Sequence, residues 1–466
     1  MYNILIKNIK NKYEYDELIK VFLRPDQFRS LTEEECDRQA GKTASDDIWI
    51  LFNEAGFADK NHIKREICQG LSQITGVEPA WGILTGVRPV KLTNEIWKEV
   101  GDRDAVKKKL IDFYLVSEAK SDLLLETCDY QRQVLGPAEK DSVGVYIGIP
   151  FCPTRCLYCS FTSNQKDADE IQRYLNALTE EIRYCGRRMR ETGIYAESIY
   201  IGGGTPTTLS DSQLEQLLRE IDCHIDRTRV KEFTVEAGRP DTITDEKLKL
   251  LRDYQVDRIS INPQSMKEET LAVIGRSHKA EDVRKAFQMA KKAGISMING
   301  DIIAGLPGEN REDFCHTLEE VIAMGAENIT VHTLAVKRAS RLIEEDRDYH
   351  YKQGDIVAEM LEAGSKLLSE AGYRPYYLYR QKHMAGSFEN VGYCKGNTPC
   401  IYNIRIMEEQ QTILAMGAGG ISKVYFPAEN RLERVANVSN YEIYISRLLE
   451  MLERKEEHLF KEVVRC

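Results

Sequence analysis

Residues Val143 to Phe161 read VGVYIGIPFCPTRCLYCSF. An apolar run with β-branched residues leads into Pro150, and Cys152, Cys156 and Cys159 follow. The run has the length and composition of a buried strand, and Pro150 marks its end. The cysteines have the spacing C-x3-C-x2-C on one short loop. Three thiolates so placed can bind three irons of a cubane cluster and leave the fourth open to a ligand. The alternatives are a structural zinc knuckle or three buried thiols. Zinc wants four ligands, and no further Cys or His stands at the usual local spacing after Cys159.

From Val143 onward, strand and helix patterns alternate. Strands are expected at Val143–Ile149, Ser198–Ile201, Glu232–Glu236, Arg258–Asn262, Ser296–Ile303 and Asn328–Leu334. Amphipathic helices are expected at Glu170–Arg190, Asp211–Ile221, Asp245–Asp253, Ala280–Lys292, Arg311–Met324 and Val357–Glu370. Six such βα units predict an α/β fold, a parallel sheet curling into a barrel or part of one. Chemistry in such folds sits on loops after the strands. The notable residues fall there in turn: the cysteine loop, Gly202-Gly203-Gly204-Thr205-Pro206, Glu236, Gln264 with Arg276, Asp301, and His332 to Ala335 with Lys337 and Arg338. The glycines admit close backbone approach to a ligand, and without a P-loop lysine they do not read as a nucleotide-phosphate site. Singly, Glu236, Gln264 and Asp301 are ordinary strand-end polar residues; on consecutive strands they predict a shared pocket. His332 reads as a satisfied core histidine, and Cys394 with Cys400 has no clear third ligand for a second cluster. Lys337, Arg338, Arg341, Arg380 and Lys382 read as a solvated face or, at a barrel mouth, as partners for an anionic substrate.

The region before the cysteines is different. MYNILIKN alternates like an edge strand, DDIWILFNEA suggests another strand, and Tyr13–Phe22, His62–Ile74 and Val106–Leu115 read as helices. Gly and Pro mark turns in Trp81–Leu92, and Cys36, Cys68 and Cys128 read as structural. After about Tyr351 come a tyrosine-rich segment (Tyr373 to Met384), VGYCKGNTPCIYN, the glycine-rich Leu414 to Ser422, and a terminal helix expected at Tyr441 to Glu457.

With 466 residues the chain predicts two or three domains. A net charge of -10 argues against extended nucleic-acid binding. No apolar run is long enough to cross a bilayer and no leader pattern stands at Met1, so the expected location is cytoplasmic. Its 12 cysteines then point to buried thiols and a metal site rather than disulfides. An open iron implies an anaerobic or reduced setting.

YIGIPFCPTRCLYC, GGGTPT, the strand-end glutamate, NGDIIAGLPGE, VGYCKGN and GAGGIS together resemble the radical S-adenosylmethionine enzymes. They are similar in order and spacing to the oxygen-independent coproporphyrinogen III oxidase family over about residues 143 to 425. The N-terminal region and HTLAVKRAS resemble its HemZ-type coproporphyrinogen dehydrogenase branch. The resemblance implies a partial (β/α)6 TIM-like barrel at 140–345, an N-terminal α+β domain of unknown role at 1–135, and a C-terminal family-specific extension at 346–466. It implies a [4Fe-4S] cluster on Cys152, Cys156 and Cys159, with S-adenosylmethionine on the open iron, held by Gly203 and Glu236 with Tyr146 and Ile421 nearby. Tyr146 and Glu236 are the candidate catalytic residues. Tyr158, Gly204, Thr205, Gln264, Arg276, Asp301 and Ala335 match a second S-adenosylmethionine site.

The implied reaction takes hydrogen from a propionate carbon of coproporphyrinogen III. Loss of carbon dioxide and one electron then leaves a vinyl group, and two rounds give protoporphyrinogen IX. The implied partners are a tetrapyrrole or haem and an electron donor such as flavodoxin or ferredoxin. The oxidases carry His where this chain has Gly148, and a fourth cysteine where it has Phe161. Phe161 is shared with haem-carrier members, so a haem carrier and a radical methyltransferase or haem-opening enzyme stand as alternative readings.

Overall fold

The computed structural model describes residues 1–7, 9, 12–32, 34–35, 48–53, 60–86, 88–161, 163–337, 340–346, 349–381 and 384–465. They form two compact units, Met1–Asp129 with two short later pieces, and most of the remaining chain.

In the N-terminal unit, β1 (Tyr2–Lys7), β2 (Phe28–Leu31) and β3 (Ile48–Asn53) make a parallel sheet in the order β2-β1-β3. The expected edge strand is therefore the central one. Ile4 and Ile6 are fully buried, and they join Leu18, Ile19, Ile63, Ile67 and Leu71 in one core. An alternating pattern reports one buried face, but the number of strand neighbours is set by where the chain returns. The expected helices occur at Tyr13–Ile19, Lys60–Thr75 and Arg103–Asp112. Two more, Pro89–Val100 and Glu118–Val134, escaped the pattern. Pro89 was read as a turn, yet it occupies the first helical position, where its missing N–H costs nothing. Cys68 and Cys128 are buried thiols outside any disulfide, and Cys36 lies outside the described residues.

The larger unit is built on β4 (Ser142–Ile149), β5 (Tyr195–Gly203), β6 (Glu232–Glu236), β7 (Arg258–Ser260), β8 (Met297–Ala304) and β9 (Asn328–Thr333). These lie side by side in chain order, and every neighbouring pair is parallel. Val145, Ile147, Ile199, Ile201, Val235, Ile259 and Ile329 are fully buried, the near-continuous apolar run expected of a covered parallel strand. The intervening helices carry explicit start signals. The Asp167 side chain accepts from Glu170 N at the head of Ala168–Thr192. Ser210 and Gln213 make a reciprocal capping box on Asp211–His224, and Asn310 with Asp313 does so on Arg311–Ala323.

The C-terminal segment extends this sheet at both sides, which composition did not reveal. β10 (Tyr373–Arg380) and β11 (Glu389–Lys395) continue beyond β9, with β11 antiparallel to β9. On the other side β12 (Thr412–Met416) runs parallel to β4 and is followed by β13 (Ile421–Phe426) and β14 (Arg431–Ala436). The result is an open eleven-stranded sheet. The single terminal helix is broken at Arg447 into Tyr441–Ser446 and Leu448–Lys455, followed by a π-helical turn at Glu456–Phe460. Its buried Lys455 donates to Glu181 Oε1 at 2.7 Å, while Glu181 Oε2 accepts from Tyr444 OH at 2.6 Å and Gly417 N at 2.7 Å. Burial works to raise the Glu181 carboxyl, but Lys455 and the other donors outweigh it and hold it low. This network anchors the turn Gly417–Gly420 beside β4. A Cβ on Gly417 would lie 2.5 Å from Gly148 O.

Candidate active site

The cysteine loop is pinned before any ligand arrives. Cys152 N donates to Asn164 O at 3.1 Å, Asn164 N returns a bond to Pro150 O at 2.9 Å, and Leu157 N donates to Ile274 O at 3.0 Å. Cys152, Cys156 and Cys159 are free thiols, and burial pushes Cys152 up to about 11 and raises Cys159. Thr205 Oγ1 donates to Cys152 Sγ at 3.5 Å and Arg239 Nη1 to Cys156 Sγ at 3.9 Å. Such donors suit sulfur that carries negative charge.

The glycine turn after β5 joins this loop to the next strand. Gly204 N donates to Ile149 O and Thr205 N to Phe151 O, both at 2.7 Å. A Cβ on Gly204 would stand 2.9 Å from Cys152 Sγ and 2.5 Å from Phe151 O. Only glycine fits there. Gly203, at φ +114°, donates its N–H to Glu236 Oε2 at 3.1 Å. Glu236 Oε1 accepts from Tyr200 OH at 2.7 Å. With two donors for a buried carboxylate, desolvation dominates and pushes Glu236 up to about 7. Tyr146, Tyr200 and Tyr402 lie nearly parallel beside it; the Tyr200 and Tyr402 ring centres are 4.6 Å apart.

The later strand ends form a second set of contacts. Asp301 Oδ1 accepts from Asn299 Nδ2 at 2.7 Å, and His332 Nε2 lies 3.6 Å from Asp301 Oδ2. Burial would raise Asp301, but the His332 and Asn299 contacts prevail and lower it. Gln264, a non-glycine residue at φ +66°, exchanges backbone bonds with this strand: its N–H donates to Asp301 O and its carbonyl accepts from Ile303 N. Left-handed backbone at such a residue is the kind of strain found at ligand sites. Arg276 donates to Gly238 O at 2.9 Å and to Tyr158 OH at 3.0 Å, while its buried Nε has no partner.

The expected residues thus form connected groups: Cys152 with Gly204 and Thr205, Gly203 with Glu236 and Tyr146, Tyr158 with Arg276, and Gln264 with Asp301. Two others join none of these groups. Ala335 makes an isolated bridge to Met384, and Ile421 is exposed at the start of β13. His332 is half-buried, with Nε2 3.6 Å from Asp301 Oδ2. Cys394 Sγ contacts Tyr130 OH and Cys400 Sγ contacts Glu232 Oε1, both at 3.1 Å. Of the expected basic face, Arg380 is buried against Leu84 O and Ser387 O, Lys337 lies 5.8 Å over the Phe161 ring, and Arg338 and Lys382 lie outside the described residues. Sequence reasoning passed over Tyr200, Tyr402, Arg239 and His278. Arg239 alone had a signal, its place three residues after Glu236 and two before Asp241.

No three His, Cys, Asp or Glu side chains converge on a single metal ion among the described residues. A cubane asks for something else, one thiolate per iron. Three free thiols on a pinned loop, anion-favouring donors on two of them, and a glycine turn without room for a Cβ fit that group.

The radical SAM superfamily model matches residues 146–321. The chain is 39% identical over 405 residues to the oxygen-independent coproporphyrinogen-III oxidase-like protein HemZ of Bacillus subtilis (strain 168), covering 86% of this chain and 81% of that protein. This chain belongs to the HemZ-type, oxygen-independent coproporphyrinogen-III oxidase-like family of radical SAM proteins. As a radical SAM family member it has a [4Fe-4S] cluster and S-adenosylmethionine as its cofactors. The heme chaperone HemW of the same strain is 33% identical over 235 residues, half of this chain and 61% of that protein. Among solved structures, coproporphyrinogen III oxidase (HemN) from Escherichia coli shares the fold, with a TM-score of 0.54 at 20% identity over 70% of this chain and 73% of that one. No helix among the described residues is long and apolar enough to cross a membrane.

Proposed function

We propose that this protein is a radical enzyme acting on a tetrapyrrole, and that its reaction is the oxygen-independent oxidative decarboxylation of coproporphyrinogen III to protoporphyrinogen IX. One observation carries the reading. Gly203 bonds Glu236 while Gly204 and Thr205 touch Phe151 and Cys152, so one tight turn links an under-satisfied carboxylate to a thiol of the cysteine loop. A molecule that carries an amino group and an iron-binding carboxylate side by side needs that juxtaposition.

When bound, the cluster and S-adenosylmethionine supply one electron and a carbon-centred radical able to take hydrogen from an unactivated carbon. This chain's residues do the rest. Cys152, Cys156 and Cys159 hold the cluster. Glu236 accepts from the S-adenosylmethionine ammonium or ribose, with Tyr200 and Gly203 orienting its carboxylate and Tyr146 closing the wall. Tyr158, Gly204, Thr205, Gln264, Arg276 and Asp301 line the neighbouring site, while Ala335 and Ile421 stand apart from both groups. Lys337, over Phe161, offers a cation to a substrate carboxylate. Residues 1–135 act as a separate N-terminal domain, 140–345 carry the radical site, and 346–466 complete it. A flavodoxin or ferredoxin in the cytoplasm supplies the electron.

A haem carrier is the second reading. It is favoured by Phe161, which is 65% exposed and stands where the haem-carrier members also have phenylalanine. Anaerobic assay separates the two. Reconstituted protein with dithionite, S-adenosylmethionine and coproporphyrinogen III should form 5′-deoxyadenosine, methionine and a vinyl product. Background vinyl product with stoichiometric haem uptake would overturn the oxidase reading, and transfer of labelled methyl to a porphyrin would replace it with a methyltransferase.

A further inference from the structure

Arg239 lies on the loop after β6 and is 3% exposed. It makes a two-point ion pair with Asp241, Nε to Oδ1 and Nη2 to Oδ2, each at 3.1 Å. Nη2 also donates to Ser277 Oγ at 2.7 Å, on the loop after β7. Nη1 donates to Thr154 Oγ1 at 2.8 Å and to Cys156 Sγ at 3.9 Å, both on the cysteine loop. One buried cation therefore ties three strand-end loops together. A purely structural clamp explains the bonds to Asp241, Ser277 and Thr154. It does not explain why the same guanidinium also reaches a sulfur, which accepts weakly as a thiol and well as a metal-bound thiolate.

We propose that Arg239 is a positioning residue that sets the electron affinity of the cluster, by holding a fixed positive charge and a hydrogen-bond donor against Cys156 Sγ. The inference rests on the reading of Cys156 as a cluster ligand. Reduction adds one negative charge to a cluster already bound by three thiolates. A nearby cation stabilises the more negative state more strongly, and the buried setting weakens solvent screening. Hydrogen bonds to the sulfurs and net local charge are the protein's usual means of setting such potentials. Asp241 holds the guanidinium in place and opposes it in sign.

The test compares the full-length protein with R239Q, D241N and C156S, each reconstituted anaerobically with iron and sulfide. Iron per chain is measured first. The ratio of reduced to oxidised cluster is then read by electron paramagnetic resonance at one fixed solution potential. R239Q should lower that ratio about tenfold, the scale of one charge lost beside the cluster, and D241N should raise it. A loosened loop would move both variants the same way, so shifts of like sign, or wild-type ratios in both, overturn the proposal. Should R239Q fail to hold iron, the sign of the D241N shift decides alone. C156S separates the two claims. Retained iron in C156S overturns the ligand reading, whereas iron loss in C156S with unshifted ratios in the other two overturns only the role of Arg239.

Discussion

Glu232 and Glu236 stand at the two ends of the same five-residue strand, β6, and their surroundings differ completely. At the start of the strand Glu232 accepts from Arg258 Nη2 at 3.1 Å, Ile401 N at 3.0 Å and Cys400 Sγ at 3.1 Å. On the neighbouring β5, Glu197 accepts from Arg405 Nε at 2.9 Å, Lys231 Nζ at 2.9 Å and Gln411 Nε2 at 2.7 Å. Burial alone would raise the Glu197 carboxyl, yet Arg405 and these partners hold it at about 2. At the finish of the strand Glu236 accepts from Tyr200 and Gly203 among the described residues, and desolvation pushes it up to about 7. Buried polar atoms without partners occur at both ends, Arg258 Nε and Gln411 Oε1 at the start and Arg276 Nε and both ring nitrogens of His278 at the finish, so the contrast lies in the carboxylates. Burial penalises a carboxylate wherever it lies. For the carboxylates of the starting end the protein itself supplies the compensation, and Glu236 at the finishing end is left with less of it.

The severest test of that contrast removes a thiol. C156S, and equally C152S, should abolish the broad visible absorbance of the reconstituted cluster and reduce S-adenosylmethionine cleavage to background. Intact absorbance and turnover would remove the basis for calling the finishing end a cofactor site.

At the closed end, Arg258→Met should be costly because it strands Glu232, whose side chain is 3% exposed. Breaking a buried pair from one side destabilises by about 3–5 kcal/mol, read as a shift of the denaturant midpoint. A shift indistinguishable from that of an exposed substitution would mean that this end is not self-compensated.

Glu236→Gln should leave that midpoint nearly unchanged, since it removes a carboxylate the fold penalises. It should instead weaken S-adenosylmethionine binding to the cluster-loaded protein by about 10- to 100-fold, the worth of a hydrogen bond to a charged group. The reverse outcome, a lost fold with affinity retained, would make Glu236 another structural carboxylate.

The smallest effects are those of pH. The folded value of Glu236 is raised, so the native state holds a proton that the unfolded chain has released. Its contribution to stability is therefore present below the ordinary carboxylate range and is lost as pH rises toward about 7. Glu197 has the opposite sign, with a contribution present above its ordinary value of 4.5 and lost as pH falls toward about 2. With Glu236 proposed to accept from S-adenosylmethionine, affinity for it should rise as pH passes upward through about 7 in the wild type and stay flat in E236Q. Equal slopes in the two proteins would assign the pH dependence to another group.

Much of this was legible in the sequence because the information is local. The six parallel strands follow from apolar runs of strand length, and the helices between them from their 3.6-residue periodicity. The cysteine spacing is a property of one loop. The central place of β1 and the addition of β11 to β9 and β12 to β4 were not legible, since each pairs residues tens or hundreds of positions apart. The same holds for the site. Gly203, Glu236 and the thiols were visible as types at strand ends, but Tyr200 on Glu236 and Arg239 on Cys156 are contacts between strands and loops that no local pattern encodes.

The sequence by itself determined the six strands of the parallel core, the three-thiol loop and the strand-end positions that could meet around it. Only the tertiary structure decided which buried carboxylates are satisfied and which are left wanting a partner. Secondary structure and loop spacing are written in short-range covalent and steric rules, whereas the ionisation of Glu236 or Glu197 depends on the groups that folding brings within a few ångströms.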